Sequence, residues 1–167
     1  MVVGTTGWYD DFEEVKAKMA TIGGAILPAT NFSLGVNIYL EINRKLGEYM
    51  NHQSQYDVMI EETHHTEKLD APSGTAITLA EGIIDNSLKS SWTLDGDTED
   101  NNIPITAVRT PDVPGTHTIS YDSIVDSIDI KHTAHNRQGF ALGAVVASEW
   151  LVDKTGVFSM ADVLNLG

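Results

Sequence analysis

No cysteine occurs anywhere in the 167 residues. Disulfides, thiolate nucleophiles and cysteine metal sites are therefore excluded, as suits a reducing cytoplasm. Positive charge is scarce as well: 10 Lys and Arg stand against 24 Asp and Glu, a formal net charge of −14. That balance repels phosphate backbones and argues against nucleic acid as a partner. It also makes the few cations informative, because an anionic ligand needs a locally positive pocket in a negative molecule. No apolar run is long enough to span a bilayer, so no membrane partner is expected. Met1-Val2-Val3-Gly4 lacks the charged and apolar regions of a signal peptide. What remains, 41% hydrophobic and 20% charged residues, is ordinary for a globular chain with one substantial core, or a modest core plus part of a neighbouring domain.

Along the chain, Met1-Val2-Val3 reads as the end of a buried strand and Gly4-Thr5-Thr6-Gly7 as the turn after it. Asp11 to Ala20 has helical spacing, with Phe12, Val15 and Met19 on one face. Gly24 to Pro28 is a second short strand. Strand, turn, helix, strand is one unit of a parallel α/β sheet, and such sheets do not stand as a single unit, so a partial chain is expected. Asn31-Phe32-Ser33 leads into a helix over Leu34–Met50, with Ser33 as N-cap and Tyr39, Ile42, Leu46 and Tyr49 at helical intervals. Tyr56–Thr63 reads as a strand and Thr75–Ser87 as a helix, followed by a solvated acidic loop over Asp95–Asn102. Strands are predicted over Pro104–Arg109, Thr116–Tyr121 and Asp126–His132, then helices over Gly139–Leu151 and Ser159–Leu164. The middle of the chain thus reads as helices packed on a mixed or antiparallel sheet.

The densest reactive cluster runs from Glu61 to Thr75, between a strand end and a helix start. Pro72 disfavours helix in the residue before it, so the approach is loop, and Gly74 allows close approach to the backbone. The amides of Gly74 and Thr75 lie at the positive end of the helix, a ready site for a carboxylate or phosphate. Lys68 adds a fixed charge. His64 and His65 supply groups able to move a proton near neutral pH. Zinc is the competing use of paired histidines, but neighbouring histidines rarely chelate one ion and no third ligand has helpful spacing, so no metal is expected. An isolated His-His pair is more often a pair of satisfied loop residues; the lysine, the proline and the glycine-led helix start favour a site. Gly4-Thr5-Thr6-Gly7 and Asn31-Phe32-Ser33 are each weak signals, strengthened by lying at the carboxyl ends of adjacent strands, where open α/β sheets bind ligands.

Glu62 to Ala76 matches E-x-H-H-x-x-K-x-D-A-P-S-G-T-A at every fixed position, and on this run the chain resembles the dihydrodipicolinate reductases. Val3-Gly4-Thr5-Thr6-Gly7 is similar to the family's VGTTG turn, Ala29 to Asn37 to its A-x-N-F-S-x-G-V-N segment, and Met160 to Leu164 to its M-x-D-V-L ending. The resemblance runs the length of the chain. It implies an α/β (α+β) fold: the remnant of a parallel-sheet dinucleotide-binding domain at 1–33, a mixed-sheet substrate and tetramerisation domain at 34–135, and C-terminal helices at 136–167 returning to the first.

The resemblance further implies reduction of 4-hydroxy-tetrahydrodipicolinate by NADPH or NADH in lysine and diaminopimelate synthesis, by a cytoplasmic homotetramer. His64 is then the acid/base residue and Lys68 the proton donor. His65, Ser73, Gly74 and Thr75 hold the dicarboxylate substrate, with Arg137, in a segment similar to S-x-R-x-x-F, adding a contact. Gly4, Thr5, Thr6, Ala29, Thr30, Asn31 and Phe32 line the nicotinamide side of the cofactor. One departure is large: the family's G-x-G-x-x-G pyrophosphate loop has no counterpart here. A truncated chain with impaired cofactor binding is the expectation, and its rival is a non-catalytic fragment that binds a dicarboxylate and oligomerises. Another two-domain dehydrogenase, such as one acting on aspartate, does not account for the His-His to Ser-Gly-Thr run.

Overall fold

The structure, a computed structural model, describes residues 1–5, 7–96 and 101–166. In chain order its elements are β1 (Val2–Val3), α1 (Phe12–Ile22), β2 (Ala25–Pro28), α2 (Leu34–Met50), β3 (Asp57–His64), α3 (Gly74–Ile84), β4 (Ser91–Leu94), β5 (Asn102–Arg109), β6 (Gly115–Asp122), β7 (Ser127–Ala134), α4 (Gln138–Trp150), β8 (Gly156–Val157) and α5 (Met160–Leu164). They divide into two compact units, Met1–Ile38 with Arg137–Gly167, and Tyr39–Asn136, the division falling inside α2.

The first unit holds a parallel sheet in the order β1-β2-β8. β1 and β2 are adjacent, as the sequence predicts, while β8 is an addition. It has only two residues, too few to show a period, and is defined by the amide of Gly156 donating to Gly24 O and that of Phe158 to Ile26 O. Leu27, Phe32, Ala147, Leu151 and Met160 form the core of this unit. α4 comes so close to the β2–α2 connection that a Cβ on Gly143 would stand 1.7 Å from Phe32 O; only glycine permits that approach. α1 begins after a 3₁₀ turn at Tyr9–Asp11 and ends at Gly23, whose φ is 65°. Its Phe12, Val15 and Met19 are half-buried. α5 opens on a capping box: the Asp162 amide donates to Ser159 Oγ, and the Ser159 amide to the Asp162 carboxylate.

The second unit is a mixed five-stranded sheet in the order β4-β5-β3-β6-β7. β4, β5 and β3 run parallel, while β6 and β7 are antiparallel to their neighbours. β4, an edge strand not foreseen in the sequence, brings Trp92 against the core. Ile60, Leu79, Ile83, Ile103, Ile105 and Ile119 are each at most 1% exposed, and burying one such side chain contributes about 1.5–3 kcal/mol. Of the acidic loop expected over Asp95–Asn102, residues 97–100 lie outside the described residues, and Asn102 joins β5.

α2 has the predicted span, but its apolar residues at helical intervals do not all turn inward. Tyr39 is buried and Leu46 half-buried, whereas Ile42 and Tyr49 are 48% and 69% exposed. The buried face carries Asn43 instead, at 1% exposure, whose Nδ2 donates to Leu79 O at 2.9 Å and ties α2 to α3. Apolar periodicity could not find that face, because a hydrogen-bonded polar residue occupies its centre. Tyr39 Oη donates to the carbonyls of His117 and Ile130, both at 3.1 Å, and fastens the helix to β6 and β7.

Candidate functional site

The site grows out of strand alternation. On β3 the buried phase is Val58, Ile60, Glu62 and His64; the face that fills the core with isoleucine therefore also delivers a carboxylate and an imidazole. On β6 the buried phase is Gly115, His117, Ile119 and Tyr121. The antiparallel register sets Ile60 opposite Ile119 and Glu62 opposite His117. The parallel register on the other side of β3 sets His64 opposite Arg109. Three strands separated in sequence thus converge where β3 ends.

Glu62 is fully buried and heavily bonded. It accepts from the Ser73 amide at 3.2 and 3.0 Å, and from Arg109 Nη1 and Nη2 at 3.4 and 3.3 Å. His117 Nε2 is 3.7 Å away and His64 Nδ1 3.6 Å. Burial by itself would raise the carboxyl's pKa. His117, the Ser73 hydroxyl and amide, and the charge of His64 outweigh it and hold the group down at about 2. Glu62 is therefore an anion at neutral pH, and its charge is answered by the Arg109 guanidinium.

His64, at 8% exposure, is pushed down to about 4. Burial is the main cause, opposed by the Glu62 carboxylate and reinforced by His117, Lys68 and Arg109. The ring is neutral near pH 7, its Nδ1 has no hydrogen-bond partner, and its plane meets that of His117 edge-on with centroids 5.1 Å apart. His65 is more exposed and turns to Glu67, its Nδ1 3.0 Å from Oε2. Lys68 Nζ donates to both oxygens of Asp70 at 2.7 Å, and this bond holds the Asp70 carboxyl below its usual range.

α3 begins where that loop ends. Ser73 is the N-cap, its Oγ accepting from the Ala76 amide at 3.2 Å and lying 3.2 Å from His117 Nε2. The serine's amide and hydroxyl are thus engaged inside the protein. The amides of Gly74 and Thr75 precede the first intrahelical acceptor and remain donors at the helix's positive end. Gly74 is exposed and Thr75 half-buried.

Glu62, His64 and His117 bring ligand-type atoms within 4.8 Å of one another. His65 is not among them, so the adjacent histidines do not form a ligand pair; the fold instead joins His64 to Glu62 of its own strand and to His117 of β6. The same carboxylate carries the Arg109 guanidinium, and Lys68 adds a second positive field at His64. A cation would have to compete with both, so the cluster is an ion-paired network in composition.

The remaining sequence candidates belong to the first unit. Gly4 and Thr5 follow β1, and Ala29 to Phe32 follow β2, at the carboxyl ends of paired parallel strands. The Ala29 amide donates to Val3 O at 3.0 Å, and the Phe32 ring covers Gly4 so closely that a Cβ there would come within 3.3 Å of it. A bare glycine beside an aromatic ring at the carboxyl ends of paired parallel strands fits the flat nicotinamide end of a dinucleotide. Thr30 is exposed, and Thr6 lies outside the described residues. Arg137 is exposed at the N-cap of α4.

Glu62, His117 and Arg109 had no assigned role in the sequence reading. Glu62 could have been found by carrying the Val58, Ile60 alternation two residues further. His117 could have been found by running the Tyr121, Ile119 alternation backwards. Arg109 carried only the signal of being one of three arginines in an acidic chain.

Residues 35–164 match the family described as dihydrodipicolinate reductase, C-terminus. A 4-hydroxy-tetrahydrodipicolinate reductase of Christiangramia forsetii is 53% identical over 166 residues, covering 99% of this chain and 69% of that protein. Among solved structures, the dipicolinate-bound dihydrodipicolinate reductase from Paenisporosarcina sp. TG-14 matches with a TM-score of 0.79 at 24% identity. That match covers 96% of this chain and 63% of the other, so the chain spans under two thirds of that structure. At this identity the likeness shows the fold.

Proposed function

Because this chain belongs to the dihydrodipicolinate reductase family, we propose that its second unit binds 4-hydroxy-tetrahydrodipicolinate for reduction by NADPH or NADH, as a step of lysine and diaminopimelate synthesis. The observation that carries the proposal is that the buried Glu62 carboxylate holds the start of α3 directly and the loop of Lys68 through Arg109. The carboxylates of the substrate are met by the Gly74 and Thr75 amides, with His65 at the rim. Gly4, Thr5, Thr6 and Ala29 to Phe32 serve the nicotinamide, which when bound supplies the hydride.

Loss of the 4-hydroxyl as water leaves a conjugated ring that takes the hydride; Lys68 delivers the proton that balances the hydride, and Asp70 holds its ammonium until a substrate carboxylate competes for it. His64 works as a neutral imidazole, because burial keeps it unprotonated near pH 7. It accepts or relays a proton and is not a standing cation. The dicarboxylate supplies the negative charge that this corner of an acidic molecule is built to accept. A cytoplasmic homotetramer is the assembly we infer with this activity.

A second reading rests on a feature of the sequence. Without a G-x-G-x-x-G loop in these 167 residues, the chain has little to hold a pyrophosphate and acts as a dicarboxylate-binding, oligomerising module. Calorimetry with pyridine-2,6-dicarboxylate, beside a titration of NADPH and NADH and a steady-state reduction assay, separates the two. Binding of both ligands with turnover, abolished in Lys68→Met at unchanged melting temperature, is the outcome expected of a reductase. Dicarboxylate binding alone favours the module, and binding of neither ligand removes both readings.

A further inference from the structure

We propose that Arg109 is a positioning residue for Lys68, an inference that rests on the dicarboxylate reading of the second unit. Its guanidinium donates from Nε to Lys68 O at 3.4 Å and from Nη2 to Asp70 O at 2.8 Å. The same group donates from Nη1 to Val108 O at 3.0 Å and pairs with Glu62 Oε1. One planar cation therefore joins three things: the strand it stands on, the buried anion at the base of the site, and the backbone of the loop that carries Lys68. The side chains of that loop contribute little to its shape, since His65 with Glu67 and Lys68 with Asp70 are pairs between near neighbours. The carbonyls on either side of Leu69, which is 97% exposed, would otherwise face water. Arg109 fixes them, and through them the direction in which the Lys68 ammonium projects.

Arginine suits this place for a geometric reason. Its donors form a rigid fork that can meet two carbonyls and a carboxylate at once, whereas a lysine ammonium is a single point charge. Glu62 makes the arrangement specific: fastened to the Ser73 amide, it ties Arg109 to the first turn of α3. The loop and the helix start, which supply the cationic and the amide halves of the dicarboxylate site, are therefore registered to each other through Arg109 and Glu62. No Arg109 donor is aimed at substrate in this scheme; it acts through Lys68.

A double-substitution cycle with pyridine-2,6-dicarboxylate as probe tests this by calorimetry on the full 167-residue chain, using R109K, K68M and the pair, each checked for folding by circular dichroism. R109K keeps the charge but not the fork, and we expect it to weaken binding about ten-fold, as K68M does. The pair should bind no more weakly than K68M alone, since an arginine that works through Lys68 has nothing to lose once Lys68 is gone. Multiplying losses in the pair would overturn the proposal by making Arg109 a direct or independent contributor; so would unchanged binding in R109K. If the unsubstituted chain fails to bind the probe, the dicarboxylate reading has failed by itself. Amide hydrogen exchange of residues 66–71 then decides the matter: at least ten-fold faster exchange in R109K, with the β3 amides unaltered, supports Arg109 as the anchor of the loop, and unchanged exchange rejects it.

Discussion

The two units hold their candidate functional residues by different means. In the second unit, Glu62, Arg109, His117 and Ser73 form a buried charged network that fixes the loop and the helix start side chain to side chain and side chain to backbone. In the first, Gly4 and the residues after β2 are set by strand pairing, a short turn and the apolar packing of Phe32. A polar network specifies position closely but leaves costly orphans when any member is removed. Apolar packing around glycine tolerates more, until volume is added.

The largest break in that comparison should come from Glu62→Ala. It strands the Arg109 guanidinium and the Ser73 amide, and removing one partner of a buried ion pair costs about 3–5 kcal/mol. Urea unfolding should show the loss, and hydrogen exchange should place it in β3 and α3. A cost below about 1 kcal/mol would mean that the network does not hold the second unit together.

Acid comes next. His64 has a folded pKa of about 4 against an ordinary 6.5, so the unfolded chain takes up a proton that the folded chain refuses. Its contribution is complete above pH 6.5 and is lost as pH falls towards 4. Glu62, at about 2 against 4.5, keeps its contribution above pH 4.5 and loses it between 4.5 and 2. Each shift corresponds to about 3 kcal/mol over its window, and because the two groups face each other the steps belong to the pair. Stability measured against pH should therefore start to fall near 6.5. His64→Gln should flatten the curve between 6.5 and 4 and leave the lower descent; a curve of unchanged shape would contradict the burial of this imidazole.

The smallest of the three probes the first unit. Gly143→Ala places a methyl group against Phe32 O and forces α4 outward, at about 1–3 kcal/mol by the usual cost of overpacking. The sharper readout is local: cofactor titration should weaken along with stability if Phe32 shapes the nicotinamide side, whereas dicarboxylate binding at the second unit should hold. Loss of stability without any change in the cofactor titration would separate Phe32 packing from ligand binding.

Much of the fold was legible because local patterns and tertiary demands agreed. The α2 span and the places of β3, β6 and α5 are written in residue type and spacing. Where they disagreed, the reading failed for identifiable reasons. Ile42 and Tyr49 have the right period for an inward face, but the fold turns Asn43 inward because a carbonyl of α3 is there to accept its hydrogen bond. β8 is two residues held by its partner strand, with no preference of its own to read.

The site divides along the same line. Residue order alone determined that His64, Lys68, Gly74 and Thr75 fall in one strand–loop–helix passage, since a run of 15 positions matching a family signature leaves little freedom in their local geometry. Only the tertiary structure decided that Glu62 is the buried anion at its base, that His117 and Arg109 come to it from β6 and β5, and that burial keeps His64 neutral. The physical reason is that strand register is a long-range choice. Sliding β6 by one residue would carry His117 to the other face of the sheet, and no pattern within β3 records which strand will lie beside it.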